Sequence, residues 1–282
     1  MSLDECCDRL IWACRHLDRL EAAMAPIREA YAHPPITVER KQSGEVRDCK
    51  IGDVPPVPRE LGLIFGDCLH NFRAVLDNLA FTIATDNNER LTSEERRANN
   101  FPLCEKRNEF REARCKGAIA KLPVRAQATV QRLQPYKAGK EAQWEPLAIL
   151  RKLSDIDKHR SIPVVAWSAQ GVGQIVQEPK CKSIWLAHEL APNTKFFRLR
   201  VPRQHADMYM ELYFSFAVSL QQPHELRGRD IWFWLNDIRG AILNKVLSAL
   251  APYCIGDLPA DLDVLATAKT PPLYLGWTTV VT

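Results

Sequence analysis

The apolar residues of this 282-residue chain change period near residue 161. Before that point they recur at helical spacing. After it, the runs 162–167, 173–176, 183–186, 195–201 and 208–220 are short, aromatic or β-branched, and separated by Pro, Gly and Asn. That pattern predicts antiparallel strands. A helical pattern returns at Asp230 and carries Ile231, Trp234, Ile238, Ile242 and Leu250. Helices followed by strands predict an α+β protein: an N-terminal helical bundle with a small hairpin, then an antiparallel sheet packed on a C-terminal helix. The expected boundaries are 1–161 for the helical region, 162–252 for the sheet and helix, and 253–282 for a surface-wrapping or flexible tail rich in proline.

Within the helical part, Ser2 and Glu5 spell a capping box, so a helix starts at the N-terminus. Leu3, Leu10, Leu17, Met24 and Tyr31 recur every seven residues, with Cys6, Ala13, Leu20 and Ile27 between them. This two-sided seam serves either packing within the chain or a homodimer through the N-terminal helix. Pro26 should kink that helix or end it early. A hairpin is expected from 36–40 and 45–51 around Gln42-Ser43-Gly44. Further helices are expected over 59–85, from Ser93, over 106–117 and 123–133, and from Pro146. Phe101-Pro102-Leu103 reads as a rigid apolar plug, and 134–143 as a loop.

Composition removes whole classes. With 46% apolar and 26% charged residues the chain is globular and not disordered. The longest apolar candidate, 208–220, is broken by Glu211, Ser215 and Ser219, so no membrane span is expected. Nine cysteines, an odd number, and a start without a basic and apolar leader point to a reduced, cytoplasmic setting. The adjacent Cys6 and Cys7 read as packing residues. No phosphate loop, dinucleotide fingerprint, nucleophile elbow, C-x-x-C or H-E-x-x-H occurs, so neither a metal nor a cofactor is expected.

Two helical segments carry more polar order than amphipathic packing requires. In 69–80, His70, Arg73 and Asp77 fall on the flank of a face made by Leu69, Phe72, Val75, Leu76, Leu79 and Ile83, and Asn71 and Asn78 make a second polar line. In the helix from Pro146, Asp157 and Arg160 fall inside the stripe of Leu147, Ile149, Leu150, Leu153 and Ile156. Charges on a core face need partners. The two helices are therefore expected to lie side by side, with Asp157 taking Arg73 or His70, and Arg160 taking Asp77. A histidine, an arginine and two carboxylates in a cleft supply acid–base chemistry and anion binding, so His70, Arg73, Asp77, Asp157 and His159 are the candidate catalytic residues. A non-catalytic polar network that fixes helix packing accounts for the same pattern, with Asn71, Asn78 and Arg160 as its structural members. Between 106 and 125, seven basic residues stand against Glu109 and Glu112. Lys106, Arg107, Arg111 and Arg114 are the phosphate-binding candidates among them.

The blocks HNFRAVLDNLA (70–80) and SDIDKHR (154–160), with FPL (101–103) and LQPY (133–136) between them, resemble an uncharacterised family of bacterial and phage proteins. Its members commonly read HNLRSALDHLA and then DKHR. More distantly, the Arg-x4 step on a helix is similar to the HEPN ribonucleases, helical proteins in which an Arg and a His cleave RNA without metal. The resemblance implies RNA as substrate or partner and a role in phage defence, with Arg73 on the phosphate and His70 or His159 as acid–base. Asn78 stands where the HEPN pattern has its histidine, and an amide does not shuttle protons.

Overall fold

A computed structural model describes residues 2–30, 35–53, 56–88, 90–159, 164–175, 181–187, 189–208, 211–226, 228–259 and 277–281. In chain order its elements are α1 (Leu3–Ala30), β1 (Ile36–Lys41), β2 (Val46–Ile51), α2 (Arg59–Asp86), α3 (Ser93–Ala98), α4 (Arg107–Cys115), α5 (Val124–Arg132) and α6 (Pro146–His159). They continue with β3 (Val164–Ile175), β4 (Lys182–Trp185), β5 (Glu189–Leu190), β6 (Lys195–Arg200), β7 (Glu211–Leu220), α7 (Ile231–Ala241) and β8 (Trp277–Val281). The fold is α+β.

The chain forms two compact units that are discontinuous in sequence. The helical unit comprises Met1–Leu20, Leu63–Ile162 and Trp234–Thr270; the strand unit comprises Glu21–Gly62, Pro163–Phe233 and Pro271–Thr282. The grouping follows contact and not position along the chain. The β1–β2 hairpin belongs with the strands, because β2 pairs with β6. Most of α7 groups with the helices.

In the helical unit, Ser2 and Glu5 make the expected reciprocal cap, with Ser2 N–H donating to Glu5 at 2.8 Å and Glu5 N–H to Ser2 Oγ at 3.2 Å. The seam residues Leu3, Cys6, Leu10, Ala13, Leu17, Leu20, Met24 and Ile27 are all buried within the single chain. Burial within the chain is what the packing reading of this seam expects. Tyr31 lies outside the described residues. The helix runs through Pro26 to Ala30 without ending early. Pro26 is one turn from the helix end, where few hydrogen bonds remain to be lost. The segment expected as a loop, 134–143, is instead wound as short 3₁₀ turns over Pro135–Trp144. α7 is capped by Asp230, which accepts from Trp232 N–H at 2.9 Å. It continues through a π-helical stretch, Ile242–Leu247, to Leu250.

The strand unit holds two antiparallel sheets, where one was expected: β1-β2-β6-β4 and β5-β3-β7-β8. Aromatic rings join them. Phe196 and Phe197 of β6 lie 4.9 and 5.2 Å from Phe214 of β7, all edge-on, and Trp185 of β4 packs on both. Two consecutive strand residues ordinarily point to opposite faces. Here the β2–β6 register slips between Cys49 and Lys50, leaving Phe196 as the extra residue of a β-bulge. The bulge lets both rings reach the same inner layer. The end of the chain, expected as tail, contributes β8, which pairs with β7 from Glu211↔Val281 to Ser215↔Trp277. Residues 260–276 of that tail lie outside the described residues. No helix among the described residues is long and apolar enough to cross a membrane.

Candidate functional site: a cleft beside the 101–104 segment

The extended run Phe101–Cys104 sits inside a helical unit, where no strand is available to satisfy its main chain. Its polar groups must therefore be met by side chains and by neighbouring turns. Arg73 and Asp77, one turn apart on α2, do this at one end. Arg73 donates through Nε and Nη2 to both Asp77 oxygens at 3.0 and 2.8 Å, and Nη2 also donates to Phe101 O at 2.8 Å. Asp77 Oδ1 in turn accepts from Phe101 N–H at 2.9 Å. At the other end, buried Gln134 accepts from Cys104 N–H at 3.1 Å, and Tyr136 N–H donates to Cys104 O at 3.0 Å. Arg151 of α6 donates to Leu103 O at 2.9 Å and to Glu109 at 2.7 Å. Three of the four sequence blocks thus meet on one segment: 70–80 and 133–136 grip the main chain that 101–103 begins. Gln134 was read only as part of the LQPY block, and Arg151 was not singled out from the sequence; an arginine on the flank of an apolar helix stripe was the available signal for it.

Beside this segment lies an open cleft of about 390 Å³ lined from α2, α4 and α6. Arg73, Arg151, Ser154 and Lys158 line it together with Lys116, Glu109 and Asp155. A guanidinium has five N–H donors. Arg73 spends three and Arg151 two on protein acceptors, so both retain N–H groups for a ligand. Ser154, 5% exposed, is among the residues that line the cleft, and its buried hydroxyl has no hydrogen-bond partner. Helical serines commonly bond back to a carbonyl in the preceding turn; this one does not. Lys158 is held near Asp155 at 3.6 Å, and Arg151 Nε lies 3.9 Å from the same carboxylate. No histidine lines the cleft among the described residues.

The helices α2 and α6 do lie side by side, as expected, but their charges form two groups. Asp157 sits on Gly66, so close that a Cβ there would come within 2.6 Å of its Oδ1. Ser154 and Arg151 share the cleft with Arg73, so α6 runs antiparallel to α2. The expectation that Asp157 reaches Arg73 is thereby corrected: Arg73 is engaged by Asp77, and Asp157 lies a helical turn or more away on the Gly66 side. Its neighbours are Asp67 and the exposed His70. Burial, and after it the Asp67 charge, hold the Asp157 carboxyl above its ordinary range, while His70 pulls the other way. Buried His16 of α1 completes this second group, with Nδ1 3.9 Å from Asp67.

The remaining candidates fall elsewhere. Asn71 donates to Asp67 O one turn back along its own helix at 2.8 Å, and Asn78 is half-buried on α2. His159 is the last residue of α6, and Arg160 lies outside the described residues. Ile156, expected in the buried stripe, is only half-buried. Lys106, Arg107, Arg111 and Arg114 are exposed on α4 or at its start, but the cleft is lined by Glu109, Glu112, Ala113 and Lys116. At 100° per residue, 107, 111 and 114 fall on the opposite side of the helix. No group of three or more metal-ligating side chains occurs among the described residues. Comparison of the chain with protein-family models, with curated proteins and with solved structures returns no match.

Proposed function

We propose that this protein binds RNA through the cleft, with a phosphate held by Arg73, Arg151 and Ser154, and that it does so without cutting the strand. The observation that carries the reading is that two guanidiniums with donors to spare line one cleft together with Ser154, whose buried hydroxyl has no partner. A buried polar group without a partner is costly, and an oxyanion in the cleft satisfies it. The resemblance to RNA-acting helical proteins supplies the ligand class. Cleavage in the HEPN manner would need a histidine within about 3 Å of the reacting oxygen or one water away. The histidine nearest in sequence to Arg73 belongs instead with Asp67 and Asp157. The clamp on Phe101 favours a structural duty for the Arg73–Asp77 pair as well, so Arg73 positions the 101–104 segment and presents its free N–H groups to the phosphate.

The test is fluorescence anisotropy with labelled single-stranded RNA in EDTA, followed by gel analysis of the same RNA. Ser154→Ala should weaken binding about tenfold, the scale of one hydrogen bond to a charged group, and the RNA should remain intact. Unchanged binding by both Ser154→Ala and Arg151→Gln would overturn the cleft as the site. Metal-independent cleavage abolished by Arg73→Ala would restore the ribonuclease reading.

A further inference from the structure

The β1-β2-β6-β4 sheet has one face turned to the aromatic layer and one that is charged. The register puts three cross-strand rows on the charged face: Thr37 with Lys50 and Lys195; Glu39 with Asp48, Arg198 and Ile184; and Lys41 with Val46, Arg200 and Lys182. That is six basic side chains against two acidic ones, an excess of four. The whole chain has a net charge of only +4. The acidic pair is already committed. Asp48, fully buried beneath its neighbours, accepts from Arg198 at 2.6 and 3.0 Å and lies 3.7 Å from both Lys41 and Lys195. Glu39 bonds Lys195 at 2.5 Å. Lys50, Lys182 and Arg200 make no side-chain hydrogen bond or ion pair among the described residues, and Lys182 and Arg200 are exposed.

We infer that this face is a second RNA-contacting surface, one that holds the phosphates of a single strand without reading its bases. Strands stand about 4.8 Å apart and same-face residues about 6.8 Å apart along a strand. The cations therefore form a lattice over which a flexible polyanion finds several contacts at once. Asp48 and Glu39 anchor Arg198 and Lys195 in place, which lowers the entropy lost on binding. The face presents no aromatic ring for base stacking, so recognition is of backbone charge and not of sequence. The inference rests on the reading of the protein as an RNA binder but concerns a different surface from the cleft.

Each phosphate neutralised on a single strand contributes about −0.7 to the slope of log affinity against log salt. Lys50, Lys182 and Arg200 together therefore account for about −2 of that slope. The experiment measures binding of a labelled 20-nucleotide RNA to the full chain between 50 and 200 mM salt. It compares the wild type, Lys50→Gln/Lys182→Gln/Arg200→Gln, Arg107→Gln/Arg111→Gln/Arg114→Gln and Ser154→Ala. The three sheet side chains are unpaired, so the folded state should persist, as circular dichroism would verify. The expected result is a slope flatter by about 2 in the sheet variant, so that its affinity falls about 20-fold less than the wild type's over that salt range. An unchanged slope in the sheet variant, with the loss appearing in the α4 variant, would overturn the proposal. So would binding of the wild type to phosphatidylserine vesicles with no binding of the RNA. Ser154→Ala separates the two sites: if it weakens binding while the sheet variant does not alter the slope, the cleft reading stands and this one fails. The reverse pattern supports the sheet face and removes the cleft.

Discussion

Asp77→Ala distinguishes a structural clamp from a catalytic carboxylate. The substitution removes the acceptor of the buried Phe101 N–H, and an unsatisfied buried donor costs about 1–3 kcal/mol. It also strips Arg73 of its bidentate partner. That side chain is 21% exposed and its carboxylate partner 36%, so solvent screens the pair and the ion-pair contribution is about 1 kcal/mol or less. The sum is about 1–4 kcal/mol of destabilisation. Urea unfolding of the Asp77→Ala, Arg73→Ala and double variants gives the coupling directly. It should be about 1–2 kcal/mol, since residues that share one hydrogen-bond network are non-additive. Hydrogen exchange at the Phe101 amide, read by mass spectrometry of the 99–105 peptide, should speed up in step. Stability within about 0.5 kcal/mol of wild type, with Phe101 exchange unchanged, would refute the clamp.

Gly66→Ala gains about 1 kcal/mol of helix propensity yet places a Cβ 2.6 Å from Asp157 Oδ1. The contact should win, with a net loss of about 1–2 kcal/mol, and Gly66→Ala/Asp157→Ala should recover the propensity gain; calorimetry of both variants checks this. Asp157 has a raised pKa in the folded state, so its contribution to stability is lost as pH rises through that value. Asp157→Asn should accordingly raise the melting temperature at pH 7, with the gain vanishing below the ordinary carboxylate range. A gain that persists at low pH would contradict it. Asp48 has the opposite sign. The Arg198 hydrogen bonds, opposed by burial, hold its carboxyl below the ordinary range, so its stabilisation is present at neutral pH and lost as pH falls through the depressed value. Asp48→Asn should flatten the acid limb of the stability profile measured by near-UV circular dichroism.

Local pattern and long-range pairing differ in how far the amino-acid sequence discloses them. The Ser2–Glu5 cap, the buried seam of α1, the Phe101 plug and the side-by-side docking of α2 with α6 follow from spacing, because each depends on residues a few positions apart or on one apolar face; the antiparallel direction does not, since Asp157 on Arg73 with Arg160 on Asp77 would run the two helices parallel. Partner choice does not. Nothing local to 36–51 says that β2 pairs with β6, some 150 positions later. The β-bulge at Phe196 breaks the alternation by which strand faces are read. Charges on an apolar stripe announce that Asp157 needs a partner, and His70 is one of the two the spacing offers, yet they do not say that it meets Gly66 and Asp67 and not an arginine. Gly66, one turn before His70, leaves the room that the Asp157 carboxylate occupies. Arg73 found its carboxylate within its own helix, and its remaining donors were then directed by a main chain with no other partners.

The account turns on whether Arg73 and Arg151 face a phosphate in the cleft. The direct measurement is an NMR titration of the protein carrying ¹⁵N-arginine with a 5′-phosphorylated uridine dinucleotide, following the Nε–Hε resonances. The Arg73 and Arg151 signals should move together and saturably, and Ser154→Ala should shift the titration to higher ligand concentration. RNA binding that leaves both resonances in place would contradict the account.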